Sequence, residues 1–299
     1  MENEMIIREL NCLCRDYDGL NKLIVSTKNR RSALNPDEDP ETNPIIKGEV
    51  SQKGGQVTKY QGLDNIKDQV SRRIGKLLEY WPVWTDWMSG VPGIGPFIGG
   101  NLILFYYYRF VPICPKCGTD LIKKETVDKK TEKKINTFYC PKCKKSAKGD
   151  GVLTHRIEER DFRQPSSWWH YLGMHCNGDG NKPKRKKGEQ GNWSTKGRTI
   201  GYQIGDQFNR QNEDHKYKAF LLRSKEKHNR KNENGKREKP WTKGHIQNAA
   251  RNEAAKLFLS HFWHVARELA GKTTVSPWII EHGGHTGIIP PYYYEPVVN

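Results

Sequence analysis

Four cysteines stand in two identical units, Cys114-Pro115-Lys116-Cys117 and Cys140-Pro141-Lys142-Cys143. Two residues between paired thiols let each unit turn tightly and aim both sulfurs at one point. Four soft ligands closed on one ion describe a structural zinc ribbon. Four thiolates leave no coordination position for water, so the chemistry expected of Zn2+ here is holding the fold, not activating a nucleophile. Cys12, Cys14 and Cys176 are left over and read as free thiols in a reducing compartment.

A second group of residues could carry metal-dependent hydrolysis. His261 and His264 sit three apart in a helical pattern, and Glu281, His282 and His285 form the run EHGGH. A hydrolytic metal needs a carboxylate-rich open shell that neither set supplies, so the metal-dependent nuclease is the weaker alternative. Phosphate binding without catalysis has more residues behind it. Gly93 and Gly95 in Val91-Pro92-Gly93-Ile94-Gly95-Pro96 permit a tight turn between two helices. They would also expose backbone N–H groups at the second helix's start, a helix-hairpin-helix signature. Further along come Lys182, Lys184, Arg185, Lys186 and Lys187, then Lys196-Gly197-Arg198 opening a helix that reaches Arg210, then Arg223, Lys225 and Lys227. Basic runs flanking an amphipathic helix read as a track for a polyanion.

These residues need elements to position them. Residues 1–60 carry a short helical apolar pattern and then a linker rich in Pro, Gly, Asp and Lys. Leu63, Ile66, Val70, Ile74, Leu77, Trp81, Trp84 and Met88 alternate steps of three and four. That spacing predicts a long amphipathic, coiled-coil-like helix over 61–90, interrupted near Pro82 and able to pair with a second copy or to pack within the chain. Residues 91–112 and 160–272 read as one helical nucleic-acid-binding domain, with the zinc ribbon inserted at 113–159. Within the ribbon Lys123, Lys124, Lys129, Lys130, Lys133 and Lys134 make a basic finger. Ile246, Ala250, Leu257, Phe258, Phe262, Val265 and Leu269 share a face of a helix closed by Gly271, and 273–299 is a tail, either docked or disordered. The fold class expected is mainly α.

Composition narrows the partner. Among 299 residues, 51 Lys and Arg face 34 Asp and Glu, a formal charge of +17. That charge repels itself unless a polyanion is bound, and nine Trp supply stacking surfaces for unpaired bases. No run of eighteen apolar residues and no signal peptide is present, so the expectation is a cytoplasmic protein, nucleoid-associated when on DNA, without a membrane.

The order of the long helix, PGIGP, WHYLGM, the basic loop, KGRTIGYQIGDQF and NAARNEAAKLFLSHFWHVAREL resembles the C-terminal domain of bridge-RNA-guided insertion-sequence recombinases. That domain is related to the Nop domain of box C/D ribonucleoproteins and to the Tas proteins of tandem interspaced guide RNA (TIGR) systems of prokaryotes and phages. The resemblance spans about residues 63–270 and implies a Nop-like fold, a guide RNA, a double-stranded DNA target and a homodimer. In the recombinases an N-terminal RuvC-like domain supplies acidic residues, and a serine acts as nucleophile. Residues 1–60 are too few for such a sheet. Asn177 to Lys182, where the nucleophile would fall, contains no serine, and Ser194 suits a helix cap. The likeness therefore implies a scaffold without its own nuclease, with a transposase-derived zinc-ribbon DNA-binding protein as the alternative.

Overall fold

The computed structural model describes residues 2–34, 39, 43–53, 56–127, 134–147, 154–177, 182–185, 191–235, 239–275 and 287–296. The chain is mainly helical and divides into two compact units, one from Met1–Ile103 with Phe162–Asn299 and one from Leu104–Asp161.

In the larger unit, α1 (Glu2–Leu34) is a single helix that packs along α3 (Leu63–Leu78), burying Ile7, Leu10, Cys14 and Ile24. Between them the expected linker is partly ordered. Asn43 caps the short α2 (Pro44–Lys47), its Oδ1 accepting from the Ile45 amide at 2.9 Å. An antiparallel hairpin then pairs β1 (Gly48–Lys53) with β2 (Gln56–Gln61), Val50 opposite Lys59. The signal for it was the dipeptide Gly54-Gly55 between two short alternating runs, which favours a two-residue hairpin turn.

The long helix expected over 61–90 is interrupted just before Pro82, where the sequence implied a break. Trp81 precedes Pro82, and the proline ring disfavours helical backbone on the residue before it. Trp81 accordingly adopts φ −116° and ψ 115°, and α3 ends at Leu78. A short α4 (Pro82–Thr85) and a 3-10 turn at Met88–Gly90 follow. Ile74, Leu77, Trp81, Trp84 and Met88 of the expected seam are buried within this chain, so that face is not free to form a coiled coil with a second copy; Ile66 stays exposed.

After α5 (Pro96–Tyr107) and the second unit, the chain continues with α6 (Pro165–Tyr171), α7 (Thr195–Arg210), α8 (Lys216–Glu233) and α9 (Lys243–Leu269). α9 is the hub, packing on α4, α6, α7 and α8. Of the expected face, Ile246, Ala250, Phe258, Phe262 and Val265 are buried, whereas Leu257 and Leu269 are only half-buried at its edge. Around them Trp87 stacks on Phe258 at 5.3 Å, and Phe208 stacks on Tyr217 at 4.5 Å. α9 begins where Thr242 Oγ1 accepts from the His245 amide, and it ends at Gly271, whose φ of 63° suits a glycine. Within α7, Ile200, Ile204 and Phe208 are buried, and Gly205 lets α9 approach closely. A Cβ at Gly205 would lie 2.5 Å from the Arg251 carbonyl oxygen, a backbone atom that cannot swing away. The tail is docked where it is described. Trp87 Nε1 donates to the Tyr292 carbonyl at 2.8 Å, and the Lys216 amide at the start of α8 donates to Tyr293 Oη at 2.9 Å.

The smaller unit holds two sheets. β3 (Tyr108–Pro112) pairs antiparallel with β7 (His155–Glu159), so the chain enters and leaves side by side. β4 (Ile122–Val127), β5 (Lys134–Cys140) and β6 (Lys145–Ala147) form a three-stranded antiparallel sheet in that order. No helix among the described residues is long and apolar enough to cross a membrane.

Candidate metal centre and nucleic-acid interface

Each CPKC unit folds as a knuckle for local reasons. In the first, the Gly118 amide donates to the Cys114 carbonyl at 2.8 Å, and the Cys114 amide donates to the Thr119 carbonyl at 2.9 Å. In the second, the Cys143 amide donates to Cys140 Sγ at 3.3 Å. The residue after each knuckle is left-handed, Gly118 at φ 69° and Lys144 at φ 54°. The four ligand atoms lie within 4.8 Å of one another, the only group of three or more candidate ligands among the described residues. Cys114 and Cys143 sulfurs are 3.9 Å apart and those of Cys117 and Cys140 are 3.5 Å apart. Metal–sulfur bonds of about 2.3 Å in a tetrahedron place sulfurs about 3.8 Å apart, so the four residues fit one ion; a disulfide would need about 2 Å.

The protonation of the cluster points the same way. Hydrogen bonds with the Thr119 side chain and backbone bring Cys117 down to about 6, whereas its contact with Cys117, and then burial, push Cys143 up to about 12. One thiol ionises readily and its neighbour then resists, since adjacent thiolates repel. A cation removes that conflict, so affinity for it rises with pH.

The histidine alternative meets a different geometry. His261 is buried and both ring nitrogens are engaged, Nδ1 with Tyr217 Oη at 2.8 Å and Nε2 with the Ile289 carbonyl at 2.9 Å. Neither is free for a metal. His264 instead faces Glu268 at 3.5 Å. Glu281, His282 and His285 lie outside the described residues.

Burial holds the His261 imidazole down to about 4. A histidine depressed on folding contributes stability that is complete above its unfolded value, near 6.5. That contribution is lost as pH falls from there towards 4, because the unfolded chain then binds the extra proton. We expect the wild type to lose up to a few kcal/mol through this group between pH 7 and pH 4. His261→Gln should melt lower at neutral pH yet show a flatter dependence of melting temperature on pH. An equally steep dependence in the variant would assign the effect to other groups.

On the larger unit, cations gather around aromatic rings at the start of α7. Ser194 caps this helix, its Oγ accepting from the Gly197 amide at 3.0 Å, and so fixes Trp193 and Arg198 on either side of the cap. The Arg198 guanidinium sits 4.9 Å and that of Arg185 5.7 Å from the Trp193 ring, and Lys256 Nζ from α9 lies 4.6 Å from the Trp169 ring. His170 and His175 stack at 4.0 Å beside them. Burial, then Arg198, bring Lys182 down to about 8, with Lys256 acting in the same direction. Burial, then His170, Arg198 and Lys256, lower His175. Among the described residues no carboxylate pairs with Lys182, Arg198 or Lys256. Arg198 instead donates to the Pro183 carbonyl at 2.6 Å.

No family model, curated protein or solved structure matches this chain.

Of the basic residues that the sequence singled out, Lys182, Arg185 and Arg198 share this face, with Lys184 exposed beside them; Lys186 and Lys187 lie outside the described residues. One turn on from Arg198, Tyr202 carries Arg251 at 5.8 Å from its ring. Lys225 on α8 is lowered by burial and then by Lys218 and Arg251, the latter paired with Asp206 at 3.0 Å. Arg210 and Lys227 are engaged internally, with Asp206 at 2.8 Å and Glu253 at 2.6 Å. Arg223 lines a cavity of about 440 Å³ under the tail. Lys196 lies on another side of α7, lowered by burial, with Cys14 and Asp18 of α1 opposing that shift. Gly93 takes φ 88°, as a glycine turn requires, but Gly95 does not. Lys256, Lys218, Arg251 and Trp193 were missed and Trp169 was noted only within WHYLGM, because they come from α6, α8, α9 and the loop before α7, and spacing along the chain gives no clue that these segments meet.

Proposed function

We propose that this chain is a zinc-containing nucleic-acid-binding scaffold that holds RNA by its phosphate backbone. The observation that carries this reading is the placement of Arg198 over Trp193 and of Lys256 over Trp169, with Lys182 close enough to both cations to be lowered by them and no described carboxylate paired with the three. Partly buried cations without counter-charges are costly. A phosphate backbone supplies the charges, and the indole rings offer stacking surface for bases. Four thiolates in a tetrahedron favour Zn2+ over harder divalent ions, and when bound the ion cross-links the two knuckles.

The resemblance to bridge-RNA recombinases and Tas proteins carries the reading further. The RNA is a guide that pairs with double-stranded DNA, so base pairing reads the sequence while a Nop-like, helix-hairpin-helix-containing scaffold, acting as a dimer, reads the backbone. In this reading the chain contributes no nuclease. The commitment of both His261 nitrogens fits that view.

The test is purification from the native host at high salt, followed by absorbance and sequencing of any bound nucleic acid. One discrete RNA species is the expected result. Protein free of RNA, yet binding duplex DNA in a salt-sensitive way, would replace the guide reading with that of a DNA-binding regulator.

A further inference from the structure

A groove separate from the cationic face runs along another side of α7. It comprises a cavity of about 660 Å³ towards the glycine turn and one of about 350 Å³ towards the start of α7, and Asp18, Phe97 and Gln203 line both. Thr195, Thr199, Gln203, Gln207 and Arg210 follow one another along α7 at steps of three or four and so share its face, over about 22 Å. Tyr17 and Asn21 of α1 form the opposite wall, and Gly93 and Gly95 close one end.

The chemistry inside differs from that of the cationic face. Asp18 pairs with Lys22 at 2.8 Å, and Asp206 pairs with Arg210 at 2.8 Å and with Arg251 at 3.0 Å, so the carboxylates are already balanced. What remains, besides Lys196 at the end towards the start of α7, is a set of neutral amides. Among the described residues the side chains of Asn21, Gln203 and Gln207 make no hydrogen bond, and Gln203 Oε1 is cut off from solvent without a partner. Each amide offers both donors and an acceptor. Beside them the Tyr17 and Phe97 rings stack at 4.5 Å and 22°, an aromatic surface already in place.

Paired donors and acceptors next to an aromatic surface match the edge and face of an unpaired nucleobase, whereas a phosphate would have to compete with Asp18 and Asp206 for the cations already paired with them. We propose that this groove seats unpaired bases of a single-stranded nucleic-acid segment, with the phosphates directed towards Lys196, which lines the end at the start of α7. The proposal rests on the nucleic-acid reading above and adds a second, base-contacting surface to it. A polypeptide could use the same amides, but the formal charge of +17 favours a polyanion.

Gly95 gives a clean way to block the groove. Its φ is not positive, and a Cβ there meets nothing within 4 Å, so Gly95→Leu fills space without removing a polar group or straining the turn. Gln203→Ala removes one amide instead. Binding of a fluorescein-labelled oligouridylate and of a mixed-sequence DNA duplex is measured by anisotropy at one salt concentration, with melting temperature as the folding control. Both variants are expected to weaken oligouridylate binding about tenfold, and Gln203→Ala is expected to leave duplex affinity within about twofold. Equal losses on both probes with Gln203→Ala, or no loss with either variant, would overturn the groove assignment with the nucleic-acid reading intact. Wild-type protein that binds neither probe would remove both. Should Gly95→Leu fail the folding control, Gln203→Ala alone decides.

Discussion

Cys114→Ser is expected to abolish retention of the metal and to melt the unit Leu104–Asp161 while the helical unit keeps its far-ultraviolet signal. Cys114, Leu121 and Cys140 are the buried residues at the centre of this ribbon, with Cys117, Phe138 and Cys143 packed against them. So small a core cannot offset the entropy of ordering its loops, and the ion has to supply the difference. Structural zinc contributes on the order of 10–16 kcal/mol in small zinc-finger peptides at neutral pH, far above the effect of an ordinary point substitution. Metal content per chain and hydrogen exchange across 104–161 check the expectation, and strong chelators should reproduce it in the wild type. Lowering the pH should release the ion too, since all four sulfurs must lose their protons to bind it. A variant with a full complement of metal and an unchanged exchange pattern would end the assignment.

The knuckles were legible because their chemistry is local. Two residues between thiols fix a turn, and two such turns have one economical meeting point. Most of the α9 face was legible for a similar reason, since Ile246, Ala250, Phe258, Phe262 and Val265 repeat at helical spacing and are buried, while Leu257 and Leu269 of the same pattern stay half-buried. The 61–90 stretch was legible where periodicity and proline are read together. The interruption expected near Pro82 is present, because the proline forces Trp81 out of helical backbone, and Ile74, Leu77, Trp81, Trp84 and Met88 reach the core from α3 and the short turns after it. The hairpin Gly48–Gln61 was hidden, because polar, Gly-containing sequence reads as linker until the pairing of Val50 with Lys59 is seen.

The candidate surfaces were legible only in part, for a reason of charge bookkeeping. Sequence shows which residues are cationic, not which already have partners. Lys227 and Arg210 looked equivalent to Arg198, yet Glu253 and Asp206 engage the first two, whereas among the described residues Arg198 meets the Pro183 carbonyl and the Trp193 ring and no carboxylate. Glu253 lies on α9 and receives Ser224 Oγ, Lys227 and His228 from α8, which makes Lys227 a helix clamp. Gly95 illustrates the same limit for backbone. Its neighbour Gly93 requires glycine by its φ of 88°, while Gly95 owes its interest to the open space beside it.

Arg198→Glu and Lys256→Glu together should therefore weaken nucleic-acid binding about a hundredfold at moderate salt, and roughly alike for RNA and duplex DNA, because backbone contacts carry no sequence information. Loss of two phosphate contacts should also flatten the plot of log affinity against log salt by about two units, a readout that misfolding would not produce. Stability should change little. Neither side chain has a described carboxylate partner, and half-buried cation–aromatic contacts of the Lys256 and Trp169 kind contribute only about 1–2 kcal/mol. Arg230→Glu is the matched control, as its guanidinium already pairs with Glu226 on the solvent side of α8; the same charge reversal there should cost severalfold less affinity. If both reversals weaken binding equally, the field of the whole +17 chain is responsible and the cluster has no special role. If only the α7–α9 pair matters and the salt slope falls with it, the phosphates lie against Trp193 and Trp169.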